Sequence, residues 1–514
     1  MPGSRLSRRN FVQAAGTLAG GGLLWQTVGC KQPGMSQQQP RGEAQRAAVE
    51  VSGPADYTLT IAVKPVELAP NRIVSTTTYN GQFPGPLLRF QEGKPVTIDI
   101  HNQTDTPEQL HWHGQFLATD VDGAAEEGTP FIPPHGTRRI TFVPKPAGYR
   151  FYHTHVRAGA NLSAGQYTGL VGPVYVEPKN NPGNFDREVF LTLKEFEPTY
   201  SRGGDMAMDF LSSATTVQAL KDSGENAMNA SLAKGMPHGF EVGYGSFTIN
   251  GRMLGSGEPI RVKQGERVLF HVLNGSATEI RSLALPGHTF TVVAMDGNPI
   301  PKPVNVPGLW LGTAERVSAI VEMNHPGIWI MGDTANDDRQ HGMGTVVEYA
   351  GQKGKPQWVA PKPFHWNYAQ FGNQFGNQFG NQGAAVPEPD QVFEMTFAKQ
   401  NAAEGGFNRW TINDVAFAED HMQPMFRVHQ GKQYRLRMHN ASDDIHPIHL
   451  HRHSFELTRV AGQPTSGVVK DVVMVGGYQE VEVDFVADNP GLTLFHCHQQ
   501  VHMDFGFMAL FSYV

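Results

Sequence analysis

Gly431-Lys432-Gln433-Tyr434-Arg435-Leu436-Arg437-Met438-His439-Asn440 runs from a turn glycine through alternating apolar and charged side chains to an asparagine. Alternation with period two is the mark of a half-buried β-strand. The same frame stands twice more in the chain: Gly93 to Asn102 around Val96-Thr97-Ile98-Asp99-Ile100, and Gly265 to Asn274 around Val268 to Val272. The glycine-to-asparagine spacing is nine in all three copies, and each follows a turn signal: Tyr79-Asn80-Gly81, Ile249-Asn250-Gly251 or Ile412-Asn413-Asp414. Three matching frames in register read as a β-rich unit present three times. Short strands at these intervals, separated by Gly, Pro and Asn, predict an all-β chain of three consecutive Greek-key barrels or sandwiches.

Composition agrees. The 514 residues are 39% hydrophobic and 10% aromatic, enough to bury several cores, while only 17% are charged and 57 are Gly and 36 Pro. That mix suits strands and turns better than long helices. A net charge of −7 without a dense Lys/Arg run argues against nucleic-acid binding. Two cysteines exclude a disulfide scaffold.

Ser7-Arg8-Arg9-Asn10-Phe11 is a twin-arginine signature followed by an uncharged Ala/Gly/Leu stretch, which reads as a signal peptide over 1–30. The mature protein is therefore expected outside the cytoplasm, in the periplasm or at the cell-envelope surface. Thr27-Val28-Gly29-Cys30 resembles a lipoprotein cleavage site but lacks the usual leucine, so Cys30 is a candidate lipid anchor and 31–52 a polar tether. The expected domains are 53–178, 185–350 and 390–514. A linker over 351–389, containing three Phe-Gly-Asn-Gln repeats, is expected to lie over the surface.

The repeat register also shows where the copies differ. Nine and eleven residues after Asn102 stand His111 and His113; after Asn440 stand His449 and His451; after Asn274 stand Leu283 and Leu285. Five and seven residues after Gly148 come His153 and His155, after Gly491 come His496 and His498, and after Gly327 come Gly332 and Thr334. The first and third copies thus supply four His-x-His pairs and the middle copy none. On a strand, positions i and i+2 share a face, so each pair presents two imidazoles side by side. Eight imidazoles are too many for one ion and suffice for a cluster of three.

Cys497 lies between His496 and His498 and points to the opposite face, where His446 and His502 are free to join it. One thiolate with two imidazoles is the ligand set of blue copper, whereas structural zinc takes four closed ligands and usually more thiolates. The donor set points to copper.

These motifs carry a family resemblance. His111-Trp112-His113-Gly114, His153-Thr154-His155, His446-Pro447-Ile448-His449-Leu450-His451 and His496-Cys497-His498 with His502 resemble, in order and spacing, those of three-domain multicopper oxidases of the laccase kind. The resemblance implies three cupredoxin domains, the middle one copper-free, and four copper ions per chain. It implies a type 1 copper on His446, Cys497 and His502, and a type 2 copper on His111 and His449. One type 3 copper would take His113, His153 and His498, and the other His155, His451 and His496. It further implies single-electron oxidation of a small reducing substrate, passage from Cys497 through His496 and His498, and reduction of O2 to water. Asp122, nine residues after His113, matches the family's acidic residue near the cluster and is the expected proton relay. Phenols or aromatic amines are the expected reductants, Cu(I), Fe(II) or Mn(II) the alternative, and a monomer the expected state.

Three positions depart from the pattern. Phe507 stands where many bacterial members have an axial Met, with Met508 one place late. Met503 stands where many carry Glu, and Arg452 replaces the usual Gly after His-Leu-His. The remaining histidines, such as His288, His341 and His421, read as surface or hydrogen-bonded residues. Met206, Met208, Met422 and Met425 read as packing.

Overall fold

A computed structural model describes residues 53–179, 184–201, 239–373, 388–418 and 422–514. The expected signal peptide, Cys30, the tether, Met206, Met208, His421 and all but the start of the Phe-Gly-Asn-Gln repeats lie outside them.

The regular elements of the described chain are nearly all strands, arranged as three cupredoxin-like domains in succession. In the first, a sheet in the order Arg72–Tyr79, Tyr57–Ala69, Val96–Asn102, Thr137–Phe142 is accompanied by a second in the order Leu88–Gln91, Val171–Glu177, Gly148–His153, His111–His113. The third domain repeats the plan. One of its sheets is built on Gln391–Glu404, Gln433–Asn440 and Glu480–Val486, and the other runs Phe426–Val428, Met508–Tyr513, Thr493–Cys497, His446–Leu450, Val472–Val475.

The repeated asparagines explain why the copies keep register. Asn80, Asn250 and Asn413 have φ of 54°, 52° and 51°, a left-handed conformation that asparagine tolerates. Each side chain accepts from, and donates to, the backbone of the domain's first strand: from Thr60 and to Thr58, from Thr192 and to Phe190, from Thr396 and to Glu394. That strand pairs in parallel with the repeat strand, so Ile61, Leu193 and Phe397 stand beside Asn102, Asn274 and Asn440. The buried amide of Asn440 donates to the carbonyls of Asp444, Val475 and Gly476, while its oxygen accepts from the Ser442 amide and hydroxyl. Asn102 and Asn274 hold their own loops in the same way. A fixed loop after a fixed asparagine delivers position +9 to the same place in every copy. In the second domain that place is filled by Leu283 and Leu285, both buried in the apolar core.

One expectation needs correcting. Of the segment 351–389, the described residues 351–365 are exposed or half-buried, as a linker over the surface would be, but the chain then turns inward. Trp366, Tyr368 and Phe371 are buried in the largest apolar cluster, and the Tyr368 hydroxyl donates to Glu315 at 2.6 Å. Phe371 opens the first Phe-Gly-Asn-Gln repeat, so that phenylalanine belongs to the core, while Asn373 is exposed.

Candidate metal centre

Two antiparallel pairings build the site. His111 stands opposite His153, and His449 opposite His496, so ligand-type residues of neighbouring strands meet directly. His155, His451 and His498 follow just beyond their strands' ends. The first and third domains close on each other here, with ring centroids 3.8 Å apart for His113 and His449 and 4.1 Å for His111 and His451. Donor atoms gather within 4.8 Å of one another in four sets: His111/His113/His449, His113/His153/His498, His155/His451/His496 and His446/Cys497/His502. A fifth set is His111/Asp122/His451. Every sequence-predicted site residue is in at least one of them.

Hydrogen bonds fix which nitrogen faces inward. Backbone carbonyls only accept, so Nδ1 carries the proton in four residues: His111 to Asp122 at 2.9 Å, His153 to Thr154 at 2.8 Å, His449 to Asp471 at 2.6 Å and His496 to Cys497 at 2.9 Å. Nε2 of each is then a bare lone pair. His113 is turned the other way, since its Nε2 donates to the Asp471 carboxylate at 3.1 Å and Nδ1 faces inward. The inward nitrogens of His111, His113, His153 and His449, and both of His498, are buried without a hydrogen-bond partner. Each such orphan costs about 1–3 kcal/mol, and metal ligation would satisfy one lone pair on each of these imidazoles. His451 Nε2 and His496 Nε2 face each other at 3.0 Å, two acceptors that a cation would reconcile. Burial first, then neighbouring imidazoles, hold His155 and His498 well below the usual imidazole value, and burial takes His496 down to about 3. Neutral imidazoles are what a metal requires.

The Cys497 set is separate. Sγ lies 3.5 Å from His502 Nδ1 and 3.7 Å from His446 Nδ1, and those nitrogens are 3.2 Å apart. The Ser442 hydroxyl donates to Asn440 and therefore accepts from His446 Nε2–H at 3.0 Å, aiming Nδ1 at the sulfur. Phe507 packs on this set, its ring centroid 4.8 Å from that of His446, whereas Met508 packs with Ala124, Leu494, Met503 and Leu510 in another cluster. An aromatic ring and not Met508 thus packs beside this donor set, and Met503 lies in an apolar setting.

Asp122 ends the helix Thr119–Asp122, and its Oδ2 lies 2.9 Å from His451 Nδ1 and 3.0 Å from His111 Nδ1. Gly123, with φ of 106°, makes this approach feasible, since a Cβ there would lie 2.1 Å from the Leu110 carbonyl oxygen. The Asp-Gly turn and the acid at the cluster are one device.

Several neighbours carry no sequence signal. Asp471 holds His113 and His449 together. Glu127, raised by burial and by Asp122, donates no local pattern yet lies 3.7 Å from His451 Nδ1. Trp410 packs 4.7 Å from His446 and 4.2 Å from His502 by ring centroids, and Glu241 of the second domain lies 4.0 Å from His502 Nε2. Outside the centre, His288 bonds to Pro286 and Tyr349, and His341 to Asp337, as hydrogen-bonded residues.

Family models described as multicopper oxidase match residues 61–181, 214–351 and 385–514, well over half of the chain. The chain is 29% identical to the multicopper oxidase MmcO of Mycobacterium tuberculosis, over 99% of this chain and 97% of that protein. It is 28% identical to a copper resistance protein A homolog of Pseudomonas syringae pv. tomato, over 70% and 61% of the respective chains. Laccase-2 of Fomitopsis schrenkii is 25% identical over 86% of this chain and 88% of its own. Among solved structures, Fet3p, a multicopper oxidase that functions in iron import, superposes with a TM-score of 0.69 at 19% identity, covering 89% and 90% of the two chains. The laccase from Botrytis aclada gives 0.67 at 19%, covering 88% and 87%.

Proposed function

This chain belongs to the multicopper oxidase family, and from that premise we propose that it is a laccase-like oxidase, taking single electrons from phenols or aromatic amines and reducing O2 to water. Four copper ions would supply the redox chemistry: type 1 on His446, Cys497 and His502, type 2 on His111 and His449, and type 3 on His113/His153/His498 and His155/His451/His496. Cys497 joins the two centres covalently, one peptide away from His496 and from His498. Asp122, bonded to two of the imidazoles and with its other oxygen buried and unbonded, is the group we assign to proton delivery. The protein would act as a monomer, exported on the twin-arginine signal, with Cys30 a candidate anchor.

Phe507 is the observation that carries the organic-substrate reading. With Phe507 packed there and the Met508 sulfur in another cluster, a copper held by these residues would lack the electron donation of that thioether and would be a stronger oxidant, suited to phenols. One observation favours metal ions instead: Glu241, Asp443 and Asp444 lie near the Cys497 set, and although Lys399 pairs with both aspartates, Glu241 faces His502. Oxygen uptake by the copper-loaded protein separates these, with a dimethoxyphenol compared with Fe(II), Mn(II) and Cu(I) after correction for spontaneous oxidation. Fast uptake with the phenol supports the laccase reading, and fast uptake only with the ions overturns it. Cys497→Ser is expected to abolish both the blue absorption and phenol turnover while copper still binds at the histidine cluster; retained turnover would refute electron entry at Cys497.

A further inference from the structure

The second domain has no metal-type residues at the repeat positions, yet its Arg316 reaches the residue that orients two of the imidazoles. Arg316, fully buried, donates Nη1 to Asp471 Oδ1 and Nη2 to Asp471 Oδ2, both at 2.6 Å. This is a bidentate fork, the geometry only a guanidinium supplies. Asp471 is the residue whose carboxylate accepts a hydrogen bond from His113 Nε2–H and whose carbonyl accepts one from His449 Nδ1–H. With these two bonds His113 presents Nδ1 inward while His449, its ring centroid 3.8 Å away, presents Nε2.

The surroundings are shaped for this pair. Arg150 of the first domain adds a contact to Asp471 Oδ2 at 3.3 Å, and Asp296 of the second accepts the Arg316 amide at 3.0 Å and the Asp471 amide at 3.3 Å. Gly114, which follows His113, has φ of 77°, and a Cβ there would stand 2.6 Å from Asp471 Oδ2 and 2.9 Å from Arg316 Nη2. The glycine of the His-Trp-His-Gly motif is the room into which the pair fits.

We propose that Arg316 of the copper-free domain is a positioning residue for the copper cluster: by clamping Asp471 it holds in place the carboxylate that orients His113, a type 3 ligand, and the carbonyl that orients His449, a type 2 ligand. The inference rests on the proposed copper assignment. Arg316→Lys keeps the charge but loses the fork, and Asp471→Asn keeps the shape but weakens both the clamp and the acceptor for His113. In the copper-loaded holoprotein, both variants are expected to change the type 2 electron paramagnetic resonance hyperfine splitting and to lower type 2 copper occupancy at least twofold, leaving the blue type 1 absorption as it was. Arg435→Lys, which alters a comparable Arg–Asp pair with Asp484 in the third domain, should change neither signal. Type 2 parameters and copper content equal to the unmodified protein's in both test variants would overturn the proposal, whatever their thermal stability. Absence of blue absorption from the unmodified copper-loaded protein would instead refute the copper assignment itself.

Discussion

Arg452 occupies the position after His-Leu-His with φ of 59°, the conformation for which glycine is the usual solution. What the arginine adds is a buried staple: its guanidinium donates to the carbonyls of Leu117, Leu492, Asn489 and Pro490 and to the Thr493 hydroxyl. These tie the first domain to the loop that enters the strand Thr493–Cys497. Arg452→Gly should therefore keep the backbone and lose the staple, at a cost on the order of 3 kcal/mol for removing several charge-assisted bonds from a buried site. Denaturant unfolding of the metal-free protein measures it, and a loss below about 1 kcal/mol would mean that solvent replaces the guanidinium. The sequence exposed Arg452 as a departure but could not show its purpose, because its acceptors come from two separate loops.

At the scale of elements, the strand His446–Leu450 is placed by its loop as much as by its sheet. Asn440 anchors that loop, and Ser442 passes the constraint to His446 Nε2. Asn440→Ala should destabilise the fold by about 3 kcal/mol, the scale of leaving buried backbone groups unpaired, and also shift the blue absorption of the copper-loaded protein. Asn274→Ala removes the equivalent anchor in the second domain and should leave that absorption unmoved. Equal spectra for the two variants would disprove the relay through Ser442. Such local frames were legible in the sequence: the asparagine offsets, the paired histidines and the opposite face of Cys497 all follow from strand geometry within one copy. Asp471, Arg316, Trp410 and Glu241 were not legible, since their roles depend on how domains dock across long stretches of chain. Trp366 and Tyr368 were missed for a related reason: they sit beside a low-complexity tract whose composition suggested solvent, while their burial is decided by the second and third domains together.

For the whole molecule, buried acids set how stability varies with pH. Glu108 lies under the first domain's histidine strands, 7% exposed, with the Thr154 hydroxyl donating to it at 3.1 Å. Burial raises it from the usual 4.5 to about 7. A raised carboxyl favours the folded state while protonated, so this contribution is complete below about pH 4.5 and is lost as pH climbs through 7, a span worth about 3 kcal/mol. Glu108→Gln should remove that slope: its melting temperature relative to the unmodified metal-free protein is expected to rise between pH 5 and about pH 7 and level off above it. A constant difference across that range would show that Glu108 is already ionised.

The division of the histidine sets between the first and third domains fixes an order in time. A ribosome delivers His111, His113, His153 and His155 long before His446, His449, His451 and the His496–His502 segment, and domains fold in the order they emerge. Each of the three all-histidine sets draws on both halves of that schedule. A growing chain therefore carries four unattended imidazoles through most of its synthesis, and the centre comes into being only when the late-made strand Thr493–Cys497 docks against the first-made domain.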